Sequence, residues 1–205
     1  LRLLKEEARP VELGDLVDRA LAAFPAGVLK DVGGARTSLV AFFSDRLAGL
    51  LREEGYDAQE VESVLAGSWL RIDLVPKRLA AVRAFMELPE AASLAAANKR
   101  IGNILKKSDR VPATFDRSLL MEPAEQALGA AFTELQPGAE ALYARSEYAA
   151  MLQALAPLKL PVDRFFDEVM VNVDDEKLRA NRLGLLGQLH ATMNRVADIS
   201  KLTAG

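Results

Sequence analysis

The chain has 205 residues, half of them hydrophobic and 27% charged, so it is long enough to bury the core of one large domain or two small ones. It has no cysteine and one histidine, which excludes disulfide frameworks, thiolate metal sites, cysteine catalysis and sites built from two imidazoles. A formal net charge of −3 argues against a protein that coats nucleic acid non-specifically, although it permits a local basic surface.

Four helices are predicted in the first part of the chain, because apolar side chains recur there with helical spacing. Pro25 stops the first helix, and Gly55 ends the second because glycine readily adopts a positive φ. Asp57 and Glu60 have the spacing of a capping box, which begins the third. A short strand at residues 68–75 is a weaker alternative, because no partner strand is predicted. The four helices cover about residues 13–24, 36–54, 57–65 and 73–87.

Five more helices are predicted in residues 89–205. Pro89 opens the first of them, and Pro137 is expected to separate the second from the third. Asp174 or Asp175 can cap the last. The predicted fold class is therefore all-α, a bundle of about eight to nine helices. These five helices cover about residues 89–107, 123–135, 139–156, 161–169 and 174–202.

The helix predicted at residues 89–107 separates apolar from basic side chains. At 100° per residue, Leu94, Asn98 and Ile101 share one face. Residues 99–110 hold five cations and one anion, and such a stripe can bind phosphates. The alternative is an ordinary solvated face whose lysines interact with the helix dipole. The polar side chains of the opposite face and its flank are Lys99, Arg100, Asn103, Lys106 and Lys107.

An adjacent aromatic pair, Phe165 and Phe166, follows Arg164 in the helix predicted at residues 161–169. An unpaired RNA base can stack on such a ring. Two consecutive helical side chains do not point the same way, and packing into the core is the alternative for each ring. We expect core packing more for Phe166 than for Phe165, so Phe165 and Arg164 are kept as candidate RNA contacts.

The acidic cluster at residues 174–176 stands at a predicted helix start. Capping and the helix dipole explain it better than a divalent metal, so residues 172–176 are predicted to be structural. Arg179 and Arg182 lie three residues apart on one predicted exposed edge. There they can contact RNA or form salt bridges to the acidic cluster.

Catalytic and metal-binding residues are not predicted anywhere in the sequence. His190 has no sequence partner for catalysis, and the pair Gly33-Gly34 lacks the Gly-Lys-Ser/Thr ending of a phosphate loop. The longest uncharged stretch, residues 183–194, has twelve residues, whereas a bilayer needs about 20. Because the chain begins at Leu1 without a signal-peptide pattern, we expect it to be part of a longer polypeptide.

Three stretches of the sequence together resemble one known family. They are residues 95–107 (AAANKRIGNILKK), 161–172 (PVDRFFDEVMVN) and 174–186 (DDEKLRANRLGLL), the last continued by 196–202 (VADISKL). In this order they resemble the β subunit of bacterial heterotetrameric glycyl-tRNA synthetase, and residues 42–47 (FFSDRL) and 54–56 (EGY) extend the resemblance over nearly the whole chain. From about residue 89 onward the chain also resembles, more weakly, the DALR-type anticodon-binding domain of arginyl-tRNA synthetase.

The resemblance implies two regions, a helical segment at residues 1–88 and a DALR-like anticodon-binding bundle at residues 89–205. The sequence leaves two alternatives open, that residues 1–88 form a separate domain or that they pack with the rest as one unit. It implies that the chain holds the anticodon end of tRNA-Gly in the cytoplasm. The α subunit of an α2β2 enzyme would carry out glycylation with ATP and Mg²⁺, and this chain would need no cofactor of its own. The candidate tRNA contacts are Lys99, Arg100, Asn103, Lys106, Lys107, Arg164, Phe165, Arg179 and Arg182.

A second hypothesis is a helical scaffold that docks onto upstream domains of the β subunit or onto the α subunit. It predicts an exposed apolar surface within residues 1–88. An independent enzyme is disfavoured, because the sequence shows no pairing of a nucleophile with a general base and no cluster of metal ligands.

Overall fold

The computed structural model describes residues 1–7, 10–25, 27–67 and 69–202. Within these ranges the chain forms α-helices and short 3-10 turns, with a single isolated bridge between Glu12 and Arg71, so the predicted all-α class is confirmed. The helices are α1 (Arg2–Glu6), α2 (Leu13–Ala22), α3 (Val32–Glu53), α4 (Ala58–Leu65), α5 (Val75–Met86), α6 (Ala91–Lys106), α7 (Pro123–Ala144), α8 (Tyr148–Gln153), α9 (Lys159–Glu168) and α10 (Glu176–Met193).

Local end signals place the junction between α3 and α4 where the sequence predicts it. Gly55, which follows the C-cap residue Glu54 of α3, has a φ of +90°. The Asp57 side chain then accepts from the Glu60 N–H at 2.7 Å, and the Glu60 side chain accepts from the Asp57 N–H at 2.9 Å. Both halves of the capping box are therefore formed, which confirms this helix start.

The predicted break at Pro137 is wrong, because α7 runs through this residue to Ala144. Proline forfeits a single backbone hydrogen bond, and burial of Phe132 before it and Ala139 after it holds both halves of the helix against the core. The helix ends instead where Ser146 adopts a φ of +57°.

The last predicted helix is also too long, because α10 ends at Met193. The Asn194 side chain donates to the His190 carbonyl at 2.9 Å and accepts from the Ile199 N–H at 3.2 Å. An asparagine that satisfies backbone groups in this way competes with helix continuation. A 3-10 turn at Ile199–Leu202 follows.

The possible strand at residues 68–75 does not form in the part that can be described. Ser68 lies outside the described residues, and Ile72–Leu74 is a 3-10 turn. Arg71 makes only the isolated bridge with Glu12.

Helices on both sides of residue 88 share one hydrophobic core. Helix α5 packs against α8, and α4 packs against the turn Ile199–Leu202. Two hydrogen bonds also join the first part of the chain to the segment that follows α10. Arg78 Nη1 of α5 donates to the Val196 carbonyl at 2.8 Å, and the Asp198 N–H donates to the Ser63 carbonyl of α4 at 2.8 Å.

Among the described helices, none combines the length and apolarity that crossing a bilayer requires.

Candidate nucleic-acid interface

Helix α6 presents its basic face to solvent. Leu94, Asn98 and Ile101 are fully buried, which confirms the predicted inward face. The buried Asn98 is satisfied by a reciprocal amide pair with Asn194, at 2.8 and 3.1 Å. The amphipathic spacing therefore orients the helix and leaves five polar side chains exposed, namely Lys99, Arg100, Asn103, Lys106 and Lys107.

An aromatic ring lies directly beside this face. The Arg100 guanidinium carbon is 4.2 Å from the centre of the Phe166 ring, within the range of a cation–π contact. Phe166 is half-buried, so this stacked pair is accessible from solvent.

Phe165, the ring predicted to contact RNA, is fully buried, and that prediction is wrong. It packs among the core side chains beneath α9, with its ring edge-on to Phe166 at 5.5 Å between centres. The two predicted roles are exchanged, because α9 turns Phe165 towards the core and Phe166 towards α6.

Arg182 is a second correction. Only 1% of its side chain is exposed, so it does not share a solvent edge with Arg179. Its Nε donates to Glu125 Oε2 at 2.7 Å, and its Nη2 donates to Glu122 Oε1 at 2.6 Å. These partners lie at the start of α7, not in the acidic cluster at residues 174–176.

The Glu125–Arg182 pair is charged. Burial is the largest influence on the pKa of Glu125 and would raise it, but hydrogen bonds from Arg182 and from the N–H groups of Glu122 and Met121 together lower this pKa below its ordinary value. The hydrogen bond to Glu125 raises the pKa of Arg182. Both shifts favour the ion pair.

Arg164 and Arg179 have partners within the chain. Arg164 Nε lies 2.6 Å from Glu168 Oε1 in an exposed pair one helical turn apart. Arg179 is half-buried, and its Nη1 donates to the Val173 carbonyl at 2.8 Å. Their contact with RNA stays a prediction.

The cap predicted at the start of the last helix is confirmed. The Asp175 side chain accepts from the N–H groups of Lys177 and Leu178, at 2.9 and 3.0 Å. Asp175 therefore has the structural role assigned to residues 172–176. Asn172 is exposed and lines a depression beside α6.

Three open depressions follow the exposed side of α6. The central one, of about 490 Å³, is bounded by three cations and two carboxamides, with no carboxylate among its lining residues. Its polar lining is Lys99, Arg100, Asn103, Lys107, Ser108 and Asn172.

The two flanking depressions have mixed charge. The one of about 450 Å³ near the start of α10 contains Arg110 and Arg179 but also Asp109 and Glu176. The other, of about 430 Å³, lies between Arg100 and residues 166–172. The three depressions together are called the groove along α6. Asn172 lines all three, so the loop at residues 169–175 borders the whole groove.

Sequence reasoning missed Phe166 and Asn172. Helical geometry predicts that only one ring of an adjacent pair reaches the surface, and the sequence favours Phe165 for that position and Phe166 for the core. Asn172 stands between two valines, Val171 and Val173, and an isolated polar residue in apolar surroundings was an available signal.

Comparison with known proteins assigns the family. Residues 94–204, just over half of the chain, match the DALR anticodon binding domain. The chain belongs to the DALR anticodon-binding domain family. Its DALR domain contains most of α6, all of α9, the loop at residues 169–175 and α10, and therefore every candidate contact named above.

The whole chain is also similar to curated proteins named glycine–tRNA ligase beta subunit, which confirms the resemblance of the three sequence stretches. All 205 residues align at 58% identity with the protein of Leptothrix cholodnii, at 56% with that of Thiobacillus denitrificans and at 53% with that of Dechloromonas aromatica. The chain spans 28%, 29% and 28% of the length of these relatives.

Proposed function

We propose that the DALR domain binds the anticodon arm of a tRNA through the groove along α6. The observation that carries this proposal is the central depression, where three cations and two carboxamides lie beside the accessible Arg100–Phe166 stack. Cations bind phosphates, a ring or a guanidinium plane stacks with an unpaired base, and carboxamides bond to base edges. These are the groups that recognition of a single-stranded loop requires.

The charge distribution favours a local contact rather than a long duplex. The chain carries a net charge of −3, whereas the exposed face of α6 is basic. If the three cations of the central depression each neutralise one phosphate of a single strand, the logarithm of the binding constant should fall with the logarithm of the salt concentration with a slope of about −2.

In this proposal the tRNA is tRNA-Gly and the chain acts as part of a glycine–tRNA ligase in the cytoplasm. Glycylation, with its ATP and Mg²⁺, takes place in the alpha subunit, and this chain contributes binding and orientation. Holding the anticodon arm reduces the entropy that must be lost when the acceptor end meets the catalytic centre. The names of the relatives and the family of the DALR domain support this assignment.

A titration of tRNA-Gly with the 205-residue chain tests the proposal. Reversing two charges of the groove (Arg100→Glu with Lys107→Glu) should weaken binding by roughly tenfold or more and flatten the salt slope. The matched control is Arg19→Glu with Arg52→Glu, two exposed cations of α2 and α3. Equal affinity of the groove variant and the wild type would refute the proposal.

A second candidate function is assembly with the alpha subunit. Apolar side chains are concentrated on the surface of α2, α3 and the segment between them, as the scaffold hypothesis predicts for residues 1–88. The first half of α3 has no fully buried residue, since its buried positions are Leu47 and Leu51. The exposed side chains are Leu16, Phe24, Val28, Val32, Leu39 and Phe42.

Co-purification with a glycine–tRNA ligase alpha subunit tests this second function. Phe42→Ser with Val32→Ser should reduce recovery of the complex and leave tRNA binding unchanged. The control, Leu160→Ser with Met121→Ser, changes two exposed apolar side chains elsewhere. If the wild type, the Phe42/Val32 variant and the control variant all recover the same amount of alpha subunit, this surface does not bind the alpha subunit.

A further inference from the structure

We propose that Asn172 determines specificity by hydrogen bonding to an unpaired base, and that Arg179 and Arg182 are positioning residues that hold its loop. This inference rests on the proposed function, because it names the base-reading group within the same groove. It assigns a role to two arginines whose guanidinium groups bond within the protein, Arg182 buried and Arg179 hydrogen-bonded to the loop.

The loop at residues 169–175 is anchored on both sides of Asn172. Arg182 Nη1 donates to the Met170 carbonyl at 2.6 Å, and Arg179 Nη1 donates to the Val173 carbonyl at 2.8 Å. Val169 and Val171 are buried on the apolar side. Because two backbone carbonyls and two alternate side chains of the loop are held, the side chain between them is presented in one orientation.

Arg182 is itself held by the start of α7. Both carboxylate oxygens of Glu125 accept from it, at 2.7 and 3.1 Å. Glu125, also fully buried, accepts from the N–H groups of Met121 and Glu122. One buried guanidinium therefore connects α7, α10 and the loop, so the loop position is coupled to the core.

The Asn172 side chain is available for a ligand. It is exposed, and no other residue in the described part of the chain hydrogen bonds to its carboxamide. It lines the central depression together with Asn103. A carboxamide offers two donors and an acceptor that can pair with a base edge, and the Arg100–Phe166 stack beside it can support the base plane.

The experiment compares tRNA-Gly with tRNAs carrying single substitutions in the anticodon loop, titrated against the chain. Asn172→Ala should weaken tRNA-Gly binding by roughly 5- to 100-fold and reduce discrimination against one substituted position. The salt slope should not change, because no cation is removed. The control Gln153→Ala removes an exposed carboxamide of α8. Unchanged discrimination by Asn172→Ala would overturn the proposal.

Arg179→Met tests the positioning role, because Arg179 is only half-buried and its loss should leave the fold intact. A positioning residue should lose the same base discrimination as Asn172→Ala, keep the wild-type salt slope, and add little when combined with Asn172→Ala. If Arg179 instead contacts a phosphate directly, Arg179→Met should make the salt slope less negative by about 0.7 and preserve base discrimination. That result would refute the positioning role.

Arg182→Lys provides the second variant. It keeps the buried charge but lacks the guanidinium fork, so it should lose discrimination while circular dichroism still shows a helical protein. Full discrimination in a folded Arg182→Lys protein would count against the coupling of the loop to the core. Failure of the proposed function can be distinguished from failure of this inference, because only the former leaves the double variant Arg100→Glu with Lys107→Glu binding tRNA-Gly normally.

Discussion

Arg182 and Glu125 form an ion pair, 2.7 Å between Nε and Oε2, in which the side chains are 1% and 0% exposed. The partners are 57 residues apart in sequence and join α10 to the start of α7. A buried charge without its partner carries an uncompensated desolvation cost, which gives this pair more influence on folding than any surface salt bridge.

Arg182→Met should destabilise the protein by about 3–5 kcal/mol, because Glu125 would remain buried without a cation. Urea unfolding followed by circular dichroism measures this change. The control Arg164→Met breaks an exposed pair with Glu168 and should leave the midpoint nearly unchanged. Equal midpoints for the two variants would show that the buried pair has no special weight.

His190 should make stability depend on pH near neutrality. Burial, with a smaller contribution from Lys106 and against an opposing one from Asp198, lowers the pKa of His190 below its ordinary value of 6.5. The unfolded chain then takes up a proton before the folded one, so stability should fall as the pH drops through the unfolded pKa towards the lower folded pKa.

The measurement is the free energy of unfolding of the wild type and of His190→Gln between pH 8 and pH 5. Because this is the only histidine, the difference between the two curves isolates its titration. If the two curves of unfolding free energy against pH are parallel, the pKa of His190 is not lowered by folding. If the wild type gains stability relative to His190→Gln as the pH falls, folding raises this pKa instead.

Phe165→Ala and Phe166→Ala should separate stability from binding. Phe165 is fully buried, so its truncation should cost about 3–5 kcal/mol. Phe166→Ala should cost much less stability but weaken tRNA-Gly binding, since Arg100 loses its stacking partner. Thermal unfolding and a tRNA titration on both variants check this. If Phe165→Ala weakens binding and Phe166→Ala reduces stability more, Phe165 is the contact with tRNA.

Gly184→Ala should destabilise α10 packing. A Cβ at this position would collide with the carbonyl oxygen of Thr114, and a backbone atom cannot turn aside as a flexible side chain can. We expect a loss of about 1–3 kcal/mol in urea unfolding. Gly138→Ala, where a Cβ meets open space, is the matched control and should unfold at the wild-type midpoint or above.

Local sequence signals were sufficient where a helix end depends on neighbouring residues. Gly55 and the capping box of Asp57 and Glu60 are examples, because their interactions span at most a few positions. The predicted break at Pro137 and the predicted end of the last helix are misplaced, because packing of Ala139 and the amide pair of Asn194 with Asn98, a residue of α6, outweigh local preference.

The amino-acid sequence by itself determined the all-α class, the family resemblance and the polarity of α6, because spacing along one helix decides which side chains share a face. Tertiary structure alone decided which of Phe165 and Phe166 reaches solvent and that Arg182 is buried. Neighbouring helical residues differ by only about 100° in direction, so the position of the surrounding helices selects between them. The partner of Arg182 comes from a different helix, and no local pattern in α10 indicates Glu125.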